Sequence, residues 1–150
     1  MKKLILVSMA LAVTLGVSAR KYPTIAFNEL PIESQSFISN NFGTSSIKTV
    51  KEGPIKYEVE LRDGTEIQFY KDGSFKQAEA EKHRTLPISV LNVLPANVKS
   101  YVSHKFANWK LTDVEVKYSG KIEVELEKGK YDAELEFNQA GKLLKEDIDD

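Results

Sequence analysis

Apolar and polar residues alternate with a period of two in several short runs. Tyr57, Val59 and Leu61 alternate with Glu58, Glu60 and Arg62, and Ile67 and Phe69 with Glu66, Gln68 and Tyr70. Such alternation predicts strands with one buried and one wet face. Val114 and Val116, then Ile122, Val124 and Leu126, then Tyr131, Ala133, Leu135 and Phe137, then Leu143 repeat the signal further along. Asp63-Gly64 and Asp72-Gly73 lie between the first runs and predict tight hairpin turns with both central residues at positive φ. Tyr57, Phe69, Tyr118, Tyr131 and Phe137 are assigned to the core side. Ahead of the second set of strands, Val98, Tyr101, Val102 and Phe106 fall three and four apart, the stripe of an amphipathic helix. Phe37, Ile38 and Phe42 form a weaker stripe ahead of the first set. Pro31 and Pro95 suit the first helical position, where a missing N–H costs nothing. Leu86 to Leu91 predicts one or two helical turns leading into Pro95.

The two stretches are one unit written twice. Leu30-Pro31 recurs as Leu94-Pro95, Ser36-Phe37-Ile38-Ser39 as Ser100-Tyr101-Val102-Ser103, and Phe42 as Phe106, all at an offset of 64. Tyr57 to Leu61 recurs as Ile122 to Leu126 at an offset of 65, and Glu66 to Phe69 as Glu134 to Phe137 at 68. Insertions confined to turns are what a structural repeat tolerates. The expected fold is α+β, a tandem duplication of a helix plus a four-stranded antiparallel sheet, with one sheet face under the helices and the other wet. The divisions are a first repeat over 20–78, a linker and lead-in helix over 79–93 and a second repeat over 94–150. Phe42 and Phe106 should be buried at matching places, as should Val59 and Val124.

Residues 1–19 read as a secretory signal peptide. Met1-Lys2-Lys3 is the positive start, Leu4 to Val17 the apolar run, and Val17-Ser18-Ala19 the small-residue cleavage site. The apolar run is shorter than the ~20 residues a spanning helix needs, so no stable membrane span is expected after cleavage and the destination is periplasmic or secreted. With Lys2 and Lys3 removed, 19 basic residues face 22 acidic ones, a net charge of −3. Without a basic excess, nucleic acid is not an expected partner. The chain of 150 residues has no cysteine, which excludes disulfides, thiolate metal sites and cysteine catalysis.

The Leu-Pro helix start, the segment Tyr101-Val102-Ser103-His104-Lys105-Phe106, the run Tyr57 to Leu61 with Asp63-Gly64, and Phe69 to Gly73 resemble the PepSY-like exported proteins of Bacteroidetes. That family is also described as beta-lactamase-inhibitor-like. The resemblance covers roughly residues 24 to 147 and implies a tandem helix-plus-four-strand fold similar to that of the secreted beta-lactamase inhibitory protein. It implies no established site residue.

Candidate chemistry is sparse. His83 falls in a polar link and His104 at a helix position whose repeat counterpart is Asn40, so neither marks a metal or acid–base site. No Gly-x-Ser-x-Gly elbow, Ser-x-x-Lys motif or phosphate loop is present. No cofactor is expected. The conspicuous pattern is acidic: Glu123, Glu125 and Glu127, with Asp132, Glu134 and Glu136, should project from the wet face of two neighbouring strands, although like charges facing each other disfavour a sheet. A solvated surface offset by Lys117, Lys121, Lys128, Lys130 and Lys142 is the plainer reading; a docking face for a basic partner or a cation site is the functional one. The aromatic candidates for contact are Tyr70, on the polar side of its strand, and Trp109, which aligns with Ser45 and could instead cap the core edge.

The leading functional reading is a non-enzymatic binding or inhibitor-type module presenting an open sheet face to a protein, peptide or ligand of the cell envelope. The alternative is a small carboxylate-dependent hydrolase or carbohydrate-acting protein, which would need one acid kept protonated beside another.

Overall fold

The computed structural model describes residues 22–150, so the signal peptide expected over 1–19 lies outside the described residues. In both units a proline marks where a helix begins, α1 at Ile32–Asn41 and α2 at Ala96–Lys105. Pro31 and Pro95 keep extended ψ values of 147° and 138° and are N-caps, one place ahead of the first-turn position their chemistry suggested. Their carbonyls accept from Gln35 N at 3.1 Å and Val98 N at 3.0 Å, the role of an N-cap carbonyl. Each helix start is tied to the last hairpin of its own unit: the Ser34 hydroxyl donates to the Gly73 carbonyl at 2.8 Å, and the Asn97 amide to the Gly141 carbonyl.

Four strands follow each helix: β1 Ile47–Glu52, β2 Lys56–Leu61, β3 Glu66–Tyr70 and β4 Phe75–Glu79, then β5 Lys110–Val116, β6 Ile122–Lys128, β7 Tyr131–Phe137 and β8 Leu143–Asp149. They form one eight-stranded sheet in sequential order, every neighbouring pair antiparallel. The units join where β4 meets β5, through Gln77 to Glu115, Ala78 to Val114 and Glu79 to Asp113. One continuous core runs under both helices, including Ile38, Val59, Phe69, Val98, Val124, Leu135 and Phe137. Val59 and Val124 are equivalently buried, and the lead-in to the second helix is a 3-10 helix over Ile88–Val93.

Several local expectations are corrected. In the Asp63-Gly64 and Asp72-Gly73 turns only the glycines take positive φ, 90° and 91°. The aspartates instead accept from the backbone N–H two residues on, Thr65 and Ser74, both at 2.9 Å, so their side chains close the turn. Phe106 is buried but Phe42 only partly: Trp109 packs edge-on against Phe106 at 5.2 Å, and by the repeat offset its counterpart in the first unit is the small Ser45. Tyr118 is 81% exposed and Tyr131 42%, not core residues: Tyr118 lies in the turn beyond β5, and Tyr131 opens β7 at its hairpin end. Val116 and Leu143 are only partly buried, and Glu79 is the last residue of β4, not of the linker.

Candidate functional site

The face of the sheet opposite the helices carries the polar half of every strand. Register places one acid from each of seven strands in a line: Glu60 faces Glu66, which faces Glu79, then Asp113, Glu125, Glu134 and Asp147. Directly facing side chains stand roughly 5 Å apart at Cβ. The acids read from sequence are part of this array: Glu123 faces Glu136, Glu125 faces Glu134 and Glu127 faces Asp132. Sequence reasoning missed Glu60, Glu66, Glu79, Asp113 and Asp147. Glu60, Glu66, Glu79 and Asp113 each stand next to a buried residue in their own strand, whereas Asp147 lies between Glu146 and the exposed Ile148, and the β4 to β5 pairing that aligns the two halves leaves no local signal.

The lysines offset only part of this charge. Lys117 and Lys121 reach Glu123 at 3.5 Å, Lys121 also reaches Glu136 at 3.5 Å, and Lys48 pairs with Glu60 at 3.0 Å. Among the described residues, no ion pair reaches Glu66, Glu79, Asp113, Glu125, Glu134 or Asp147. The carboxyl groups respond first to burial and then to their like-charged neighbours. Burial among neighbouring side chains, reinforced by Glu125, Glu79 and Glu115 and opposed by the Gln77 amide, pushes Asp113 up to about 8. Burial, then Glu134, Glu79, Glu123 and Asp132, raises Glu125 to about 7. Glu66 is raised by burial and Glu79. No three acidic or histidine side chains converge on one point among the described residues, so the array is a line of charge, not a preformed ion cage.

At the hairpin end of this face the two repeats part. β4 and β5 stop pairing beyond Gln77 and Glu115, and the turns after β3 and β5 form the walls of an open cleft of about 530 Å³. Tyr70 spans it, its hydroxyl donating to the Val116 carbonyl at 2.5 Å. The Tyr118 ring lies against Tyr70 at 4.7 Å, and Ile55, 59% exposed, adds an aliphatic wall. The fold does not require these side chains: by the repeat offsets Tyr70 matches Asn138 and Tyr118 matches Pro54. Tyr70 and the acidic array thus share one face. Trp109 does not join them, since its ring packs on the core through Phe106. His83 is exposed in the linker and takes a φ of 68°, and His104 binds the Ser100 carbonyl within α2.

The family model described as "Putative beta-lactamase-inhibitor-like, PepSY-like" matches residues 17–77 and again 55–145. The chain belongs to this family. Its fold is that of a Bacteroides thetaiotaomicron protein described as a "putative calcium-regulated periplasmic protein", 27% identical, with a TM-score of 0.66 over 85% of this chain and 95% of that one. A Bacteroides vulgatus protein described as a "putative periplasmic protein", 24% identical, matches with the same TM-score over 88% of this chain and 99% of its own. A second from Bacteroides vulgatus, described as of unknown function, is 22% identical with a TM-score of 0.60 over 85% and 100%. No curated protein matches the chain. Among the described residues no helix is long and apolar enough to cross a membrane.

Proposed function

We propose that this PepSY-like protein is an exported, non-enzymatic binding module that holds a protein or peptide of the cell envelope on the outer face of its sheet. The observation that carries this reading is the Tyr70–Tyr118 cleft opening onto an uncovered face with a seven-acid line. An exposed tyrosine beside an aliphatic wall is the kind of anchor that dominates interface energies. The acidic line selects for positive charge, so the partner segment is basic with an apolar or aromatic anchor. Contacts of this kind steer encounter and fix orientation.

The raised Asp113 and Glu125 are the observation favouring the second reading, a carboxylate-dependent hydrolase, because a general acid works best near the operating pH. Such chemistry also needs an enclosed substrate site. The hollow beside Glu125, Asp132 and Glu134 holds about 60 Å³, far below the roughly 300 Å³ at which ligand pockets begin.

The test is affinity capture from envelope extract, followed by binding measurements on the captured partner with and without calcium, a condition suggested by the description of the Bacteroides thetaiotaomicron neighbour. Tyr118→Ala should weaken binding by more than about 1 kcal/mol. The double change Glu125→Lys and Glu134→Lys should slow association and reduce its salt dependence. Binding by both variants at wild-type strength, at low and moderate salt, would reject the outer face as the site.

A further inference from the structure

The second repeat ends on an edge that the first repeat keeps covered. β4 has β5 along its outer side, whereas β8, its repeat equivalent, has β7 alone beside it among the described residues. By the repeat offset, Gln77, Ala78 and Glu79, the residues that join the two units, correspond to Lys145, Glu146 and Asp147. The opposite edge of the sheet is partly closed. Thr24 bridges to Lys51, Ile25 N donates to the Val50 carbonyl at 2.9 Å, and Glu52 N donates to the Pro23 carbonyl at 3.0 Å. Head-to-tail growth, with β8 of one molecule adding to β1 of the next, is therefore obstructed.

We infer that β8 pairs antiparallel with β8 of a second copy of this chain, on a twofold axis through Glu146, to give a homodimer with a continuous sixteen-stranded sheet. Facing residues of an antiparallel ladder share one face of the sheet, so the axis must pass through a residue. An axis at Lys145 sets Leu144 against Glu146 and Leu143 against Asp147. An axis at Asp147 sets Ile148 against Glu146 and Asp147 against itself. The axis at Glu146 sets Lys145 against Asp147 twice and brings Leu144, the extra residue of a bulge in β8, alongside Ile148 twice. Leu144 and Ile148 are 56% and 46% exposed, so this register covers apolar surface that the edge otherwise leaves in water. Glu146 faces its own copy at the axis, where each carboxylate is already held by Lys105 and by the Tyr101 hydroxyl at 2.6 Å. Edge charges normally repel foreign strands. Here the same charges also select the partner, since Lys145 and Asp147 are complementary to their own sequence read backwards. An interface of one strand per copy is small, so the dimer is weak and concentration-dependent. Doubling the outer face adds avidity toward a repetitive envelope partner.

The experiment is sedimentation velocity on the full chain exported and recovered from the envelope, over a concentration series, with thermal melts to confirm folding. A reversible monomer–dimer equilibrium is expected for the wild type. Lys145→Asp alone, or Asp147→Lys alone, sets like charges face to face twice and should weaken dimerisation at least about tenfold. The double variant Lys145→Asp with Asp147→Lys restores opposite charges in the same register and should recover it. Leu144→Lys should also yield monomer. Rescue by the double variant cannot come from mere damage to β8. A wild type that stays monomeric throughout, or a dimer that both single variants leave intact, would overturn the inference.

Discussion

The Tyr70 hydroxyl donates to the carbonyl of Val116, 46 residues away, across the gap where the two repeats separate. It is a direct side-chain link between the units at the mouth of the cleft, and burial raises the phenol above its ordinary range. Tyr70→Phe removes the donor but leaves a carbonyl that water can reach, so the expected loss is about 1 kcal/mol of stability. Tyr118, exposed above it, should tolerate Ala within about 0.5 kcal/mol. Denaturant melts of the two variants check this difference, and near-equal losses would contradict the assigned contacts.

The acidic line predicts a protein that is more stable on the acid side of neutrality. Asp113, at about 8, and Glu125, at about 7, have folded values above their ordinary ones, and Glu66 shifts the same way. Folding therefore favours their neutral forms. That contribution is fully present below the ordinary carboxylate value of about 4 and is lost as pH rises through about 8. Glu52, Asp72 and Glu146 are shifted down, so their contribution is present above the ordinary carboxylate value and is lost only in more acidic solution. The melting temperature should be higher at about pH 5.5 than at about pH 8.5. Asp113→Asn should raise it at the alkaline end and flatten the profile. A profile that rises from acid to alkaline would show that the facing acids are not crowded.

The pair Phe106 and Trp109 separates packing from recognition. Phe106 is 2% exposed, and its replacement by Ala should cost roughly 3 to 5 kcal/mol through lost burial and a cavity. Trp109 covers one edge of that ring, so Trp109→Ala should cost on the order of 1 to 2 kcal/mol. Phe42→Ala should cost less than Phe106→Ala, since Phe42 has no such cover. Melts of the three variants give the order directly, and a Trp109→Ala variant as stable as wild type would return the indole to the list of contact residues.

Most of the scaffold was legible because it depends on local periodicity. The alternation in Tyr57 to Leu61 and Ile122 to Leu126 identified strands and their buried faces, and the Leu-Pro starts placed both helices within a residue. That Glu125 and Glu134 share the polar face of two neighbouring strands also followed, since alternation assigns the face. Side chains beyond a strand end were less legible. Tyr118 resembled another core aromatic because alternation continues formally past Val116, while only the three-dimensional turn shows that the sheet has ended there.

The sequence by itself determined the duplicated helix-plus-sheet unit, the export signal as an expectation, and which half of each strand is polar, because these are properties of neighbouring residues. The tertiary structure alone decided that the two units share one sheet. It also decided that seven acids from seven strands fall in one line, and that the repeats part at Tyr70 to leave a cleft. Each depends on how β4 meets β5, a contact between residues some 35 positions apart, such as Ala78 and Val114. No turn fixes that register; it is set by packing both helices over one continuous core.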